Sequence, residues 1–147
     1  MMRRAFLALC FLVAACATAP NSAPVLTVEI VPTAALDDDL KKLDELVLRR
    51  DFLAVPTGRD RVQMGAGPID VLRTYEFRNR RTLRVSIGWE LQRSRYRVFV
   101  TDLGRGPPVR GLVCRKYLEI VEDVTRTFGP ARVAAADERC DPLADGG

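Results

Sequence analysis

Arginine is the side chain this sequence offers in quantity for chemistry, and histidine is the one it lacks. Arg73, Arg78, Arg80, Arg81, Arg84, Arg93, Arg95 and Arg97 crowd one segment that holds only Glu76 and Glu90 in return. A guanidinium fork matches the oxygens of phosphate and carboxylate groups. The segment is therefore the candidate for recognising an anion or an acidic partner. Cross-strand pairs of Glu76 with Arg84 and Glu90 with Arg97 would use part of that charge. Arg80, Arg81, Arg93 and Arg95, near the turns, remain as candidate contacts. Phe99 joins them as an aromatic on a polar strand face. It either covers the bare backbone of Gly88 or seeds an apolar contact with a partner.

Other chemistry finds little support. Without histidine the commonest general base and metal ligand is missing. Ser86 and Ser94 sit in no G-x-S-x-G elbow. Asp37, Asp38 and Asp39 are consecutive, so on a helix they point in different directions and read as a dipole-matched start. "GRGPPVRG" (104–111) fits neither phosphate-loop spacing, and its prolines remove backbone donors. No metal site, cofactor or catalytic residue is expected. The alternative, a periplasmic enzyme or enzyme regulator with an unrecognised site, would need a cleft built from residues such as Asp60, Asp70 or Asp102.

The amino terminus bears on location. "MMRR" precedes an apolar run from Ala5 to Ala15, which has the layout of a removed signal. The run is shorter than the roughly 20 residues a spanning helix needs, and no later segment is apolar enough to span. Val13-Ala14-Ala15-Cys16 resembles the lipobox of bacterial lipoproteins, with valine where leucine is commoner. The resemblance covers residues 1–16 alone. It implies cleavage between Ala15 and Cys16, a diacylglycerol on the Cys16 thiol, and often an acylated amino terminus. Two or more acyl chains make membrane attachment stable. Ala17 stands where aspartate would favour inner-membrane retention, so the resemblance implies the outer membrane, facing the periplasm. Ala15 and Ala17 also form an A-x-A site. An ordinary cut after Ala17, releasing a free periplasmic chain, and an uncleaved apolar start are the competing readings.

Residues 16–24 then read as the lipidated cysteine and a flexible linker, and residues 25–147 as one domain. From Cys16 onward the chain carries 21 basic and 19 acidic residues, a net charge of +2. That is no concentrated basic footprint, so nucleic acid is not an expected partner. The expected partners are the membrane, through Cys16, and an envelope protein or anionic lipid. Cys114 and Cys140 are the two cysteines left in an oxidising compartment, and they are expected to form a disulfide.

The elements that must position these residues follow from periodicity. "VLTVEIV" (25–31) reads as a strand. Leu36, Leu40, Leu43 and Val47 have helical spacing, with Arg49 and Arg50 near the end of that helix. Residues 56–68 read as a loop with a short strand around Val62. Strict alternation from Leu83 to Leu91 marks a half-buried strand. A tight turn at Arg93-Ser94 would set Leu91 opposite Tyr96, Trp89 opposite Val98 and Ile87 opposite Val100, with Gly88 meeting Phe99. A loop at 79–81 would set Phe77 opposite Leu83, Tyr75 opposite Val85 and Arg73 opposite Ile87, with Arg73 on the apolar side. Val113, Tyr117, Val121, Val124 and Phe128 trace a second helix, stopped by Gly129-Pro130. "ARVAAA" (131–136) ends the domain as an edge strand. The order β-α-β-β-β-α-β predicts an α+β two-layer sandwich, a mainly antiparallel sheet with both helices on one face. The expected function is a lipid-anchored envelope protein that binds or scaffolds near the membrane surface.

Overall fold

The computed structural model describes residues 25–58, 60–64, 67–104, 110–135 and 140. The signal, Ala15, Cys16 and the linker lie outside the described residues. Along the chain run β1 (Leu26–Ile30), α1 (Leu36–Leu48), β2 (Phe52–Val55), β3 (Arg61–Met64), β4 (Gly67–Phe77), β5 (Arg80–Glu90), β6 (Arg95–Asp102), α2 (Arg110–Phe128) and β7 (Val133–Ala135). The strands form one open antiparallel sheet in the order β2-β4-β5-β6-β1-β7, with β3 also beside β4. The α+β class holds, and both helices pack against one face. Beyond the strands of the expected order the sheet gains β2, and β3 is the short strand read around Val62. β2 escapes a periodicity reading because four residues with only Phe52 buried show no alternation.

The core fills the space between helices and sheet. Leu26, Val28 and Ile30 of β1 point into it, as do Leu83, Val85 and Ile87 of β5 and Tyr96, Val98 and Val100 of β6. Leu43, Leu46 and Val47 of α1 and Val113, Tyr117, Ile120, Val124 and Phe128 of α2 close it from above. The Tyr117 hydroxyl donates to the Thr27 carbonyl at 2.7 Å, tying α2 across β1. At the start of α1 the aspartates divide as their angular spacing requires. Asp37 and Asp38 face solvent, whereas Asp39 is buried and accepts from the Thr33 N–H at 2.6 Å and hydroxyl at 2.8 Å. Gly129, with φ of 87°, ends α2.

Two register details differ from expectation. The β5–β6 hairpin closes through a four-residue loop, Leu91–Ser94, with Ser94 left-handed at φ of 49°. The true partners are Trp89 with Tyr96, Ile87 with Val98, and Gly88 with Arg97. This shift of two residues leaves every side chain on its expected face, because the pleat repeats every two. In β4 the pairs Tyr75–Val85, Glu76–Arg84 and Arg73–Ile87 stand as read, while Phe77 pairs with Arg80. A bulge at Leu72 then reverses the alternation. Ile69 consequently lies on the helix-free face, opposite Glu90, while Tyr75 and Phe77 lie beneath the helices. Arg73, on the helix side, keeps its guanidinium at the rim, 3.7 Å from Asp44 of α1.

Candidate functional site

The four turn arginines are not one site. Arg80 and Arg81 begin β5, whereas Arg93 and Arg95 flank the loop after it. An eleven-residue strand places them roughly 33 Å apart. Arg80 holds Asp102 through two nitrogens, at 2.9 and 2.8 Å. Asp102 also accepts from the Gly104 N–H at 3.0 Å. Burial pushes its carboxyl up, but hydrogen bonds from Thr82, Gly104 and Arg80 outweigh that and hold it below its ordinary value. Arg81 is exposed and has no polar partner among the described residues.

At the other end, three arginines and two glutamates form a closed network on the helix-free face. Arg97 sits on β6, the strand between β5 and β1, and so bridges Glu90 at 2.9 Å and Glu29 at 2.5 Å. Arg93 curls back from the loop to Glu90 at 2.8 Å and Glu29 at 2.7 Å. Arg95 reaches Glu29 at 3.2 Å. Glu90 is fully buried. Hydrogen bonds from Arg93 and Arg97 nonetheless hold its carboxyl below the usual range. A carboxylate kept charged in this way stores no proton at neutral pH and suits structure better than acid–base chemistry. Glu90 and Arg97 meet diagonally, since the residue opposite Glu90 is Arg95.

Phe99 is buried on that same face, opposite Ser86. Its ring lies 3.2 Å from where a Cβ on Gly88 would stand, and Ile69 lies 2.5 Å from that point. Phe99 and Ile69 thus cover the bare glycine backbone, and the ring is not presented to solvent. Cys114 and Cys140 are joined in a disulfide with Cα atoms 5.2 Å apart.

Two cavities line up with ionisable residues. One, of about 460 Å³, is bordered by Asp60, Arg61, Asp70 and Val71. It brings together two aspartates named for the enzyme alternative, although Arg61 occupies Asp70 at 2.7 Å. The other, of about 290 Å³, lies between α1 and α2 and is lined by Arg49, Arg50, Asp123, Arg126 and Thr127. Asp123 is buried and receives both Nε and Nη2 of Arg50, at 2.6 and 2.8 Å. That pairing holds its carboxyl below the ordinary range against the cost of burial. In the sequence Arg49 and Arg50 read only as a match to the helix dipole, and Asp123 and Arg126 carry no signal of their own. No spacing rule joins residues 73 positions apart.

Among the described residues there is no group of three or more Cys, Asp or Glu side chains able to hold a metal ion. No described helix is long and apolar enough to cross a membrane. Comparison with family models, curated proteins and solved structures finds no match.

Proposed function

We propose that this chain is a lipid-anchored envelope protein, held through Cys16 in the outer membrane and facing the periplasm. Its α+β domain would bind or scaffold a partner close to that surface. The observation that carries this reading is the order of charge, apolar run and terminal cysteine in residues 1–16. Residues 17–24 would reach roughly 25 Å if extended, which keeps a domain starting at Leu26 near the headgroups. The engagement of the domain's prominent carboxylates by arginines supports a binding role over acid–base catalysis.

Intact mass of the mature chain, extracted from membranes in mild detergent, tests the anchor. The expected species begins at Cys16 and carries acyl mass. A chain that begins at Thr18 without acyl mass would sink the reading in favour of a free periplasmic protein. Partner capture from solubilised envelopes is best compared with Arg81→Glu. Reversing Arg80, Arg93 or Arg95 would break ion pairs of the fold. The cavity at Asp60 and Asp70 is the observation favouring an enzyme or enzyme regulator. That reading requires Asp60→Asn to reproduce the phenotype of deletion at unchanged protein level.

A further inference from the structure

We infer that the cavity between the ends of α1 and α2 is a binding site for a phosphate group. Its lining carries three guanidiniums against one carboxylate. Asp123 and Arg50 fix each other through a bidentate pair. Arg126 is steadied by Glu122 at 2.5 Å and lies 3.4 Å from Asp123. Arg49 is exposed and its side chain makes no hydrogen bond or ion pair among the described residues; it acts on Asp123 only through space. The cavity therefore joins one free guanidinium to two held in place by carboxylates, with the Thr127 hydroxyl beside them. That hydroxyl donates to the Asp123 carbonyl at 2.8 Å, which leaves its oxygen lone pairs as its free groups.

The ligand class follows from shape and charge. Guanidinium forks bind tetrahedral oxyanions with parallel N–H···O bonds, which a spherical halide cannot accept. A volume of 290 Å³ lies at the low end for ligand sites and suits a phosphate with a small substituent. Glu119, 3.9 Å from Arg50 and 3.0 Å from Lys116, and Glu122 offset most of the positive charge of the wider neighbourhood. The site must then act through short hydrogen bonds and not through a long-range field. Preference for phosphate over chloride at equal ionic strength is the signature of that arrangement. The phosphate could come from a lipid headgroup or from a free phosphate compound. Only the first source depends on the envelope reading; the site itself does not.

The test uses the full chain in neutral-detergent micelles, isotopically labelled and followed by NMR at the Thr127 and Arg126 amides. Inorganic phosphate is titrated at ionic strength held constant with sodium chloride. Monomeric dihexanoylphosphatidylglycerol forms a parallel arm. Saturable shifts are expected at these amides, weakened about tenfold by Arg49→Gln and again by Arg126→Gln. Arg49→Lys, which keeps the charge and loses the fork, should weaken binding nearly as much. Lys41→Gln, at an exposed cation of α1 outside the cavity lining, should leave it unchanged, and the exposed positions of Arg49 and Arg126 should leave the unfolding midpoint near wild type. Tighter binding of the short-chain lipid assigns the headgroup, and tighter binding of inorganic phosphate assigns a free compound. Shifts that do not saturate, that chloride reproduces, or that Lys41→Gln weakens equally would overturn the proposal. An unlipidated mass with saturable phosphate binding would remove the anchor and keep the site.

Discussion

Gly88→Ala is the most informative single substitution on the helix-free face. The added methyl would stand 2.5 Å from Ile69 Cγ2, 3.2 Å from Phe99 Cε2 and 3.4 Å from the Asp70 carbonyl oxygen. Non-bonded carbons prefer about 3.5 to 4.0 Å, so Ile69 must retreat by roughly 1 Å. It has little room, because it is fully buried and its β-branched side chain is stiff at χ1. Overpacking of this kind costs about 1–3 kcal/mol. Gly88 is not among the glycines with positive φ, so alanine also recovers about 0.5–1 kcal/mol of unfolded-chain entropy. A 2.5 Å approach to a stiff side chain puts the overpacking cost in the upper half of its range, so the expected net loss is about 1–2.5 kcal/mol.

Urea unfolding followed by the fluorescence of Trp89, the only tryptophan, measures this directly. Trp89 is packed edge-on against Tyr96 at 4.9 Å, so its emission reports the same sheet. Ile69→Ala alone should cost about 2–4 kcal/mol through the cavity it leaves. In the double variant the new methyl occupies part of that cavity. The loss in the double variant should therefore fall short of the sum of the two single losses by about 1–2 kcal/mol. A Gly88→Ala midpoint indistinguishable from wild type, or strictly additive losses, would refute the close approach of Ile69 to this backbone.

Acid should destabilise the domain in one limb only. The carboxyls of Glu90, Asp102 and Asp123 are held below their ordinary values. Their stabilisation is complete above the unfolded pKa values, near 4, and is lost as pH falls through the folded ones. With no histidine, urea midpoints should stay level from about pH 5 to 8 and decline below about pH 4. A steep change between pH 6 and 8 would contradict this, and Glu90→Gln should flatten the acid limb. Replacing both Cys114 and Cys140 by serine should cost about 3.5 kcal/mol, from the entropy of closing a 26-residue span. An unchanged denaturation midpoint would mean that the bridge constrains little of the unfolded chain.

Legibility from sequence followed the strength of each periodic signal. β5 alternates without a break from Leu83 to Trp89, and its face was readable even though the hairpin register was not. Turn length is set by backbone geometry at Ser94, which a residue type other than glycine or asparagine does not announce. The start of β4 was obscured for a different reason. The bulge at Leu72 puts Ile69 and Tyr75 on opposite faces although both are odd-numbered, so no single alternation fits. β2 was hidden because its pairing with β4 is a long-range event that four residues cannot signal. The disulfide was legible because exactly two cysteines remained once the amino-terminal segment was set aside.

The candidate site was harder to read because charge pairing is a three-dimensional count. Eight arginines against two glutamates within residues 73–97 look like a surplus. The fold brings Glu29 from β1, Asp44 from α1 and Asp102 from the end of β6 to the same residues. Among the described residues six of the eight then face carboxylates, and Arg78 and Arg81 do not. A run of like charges along a strand thus says how much opposite charge the neighbouring strands must supply, and that demand is met here from outside the run. The informative cation is the one the fold leaves unpaired beside a cavity whose other cations it has fixed. Among the described residues that cation is Arg49, at the end of a helix where a dipole match alone would have explained it.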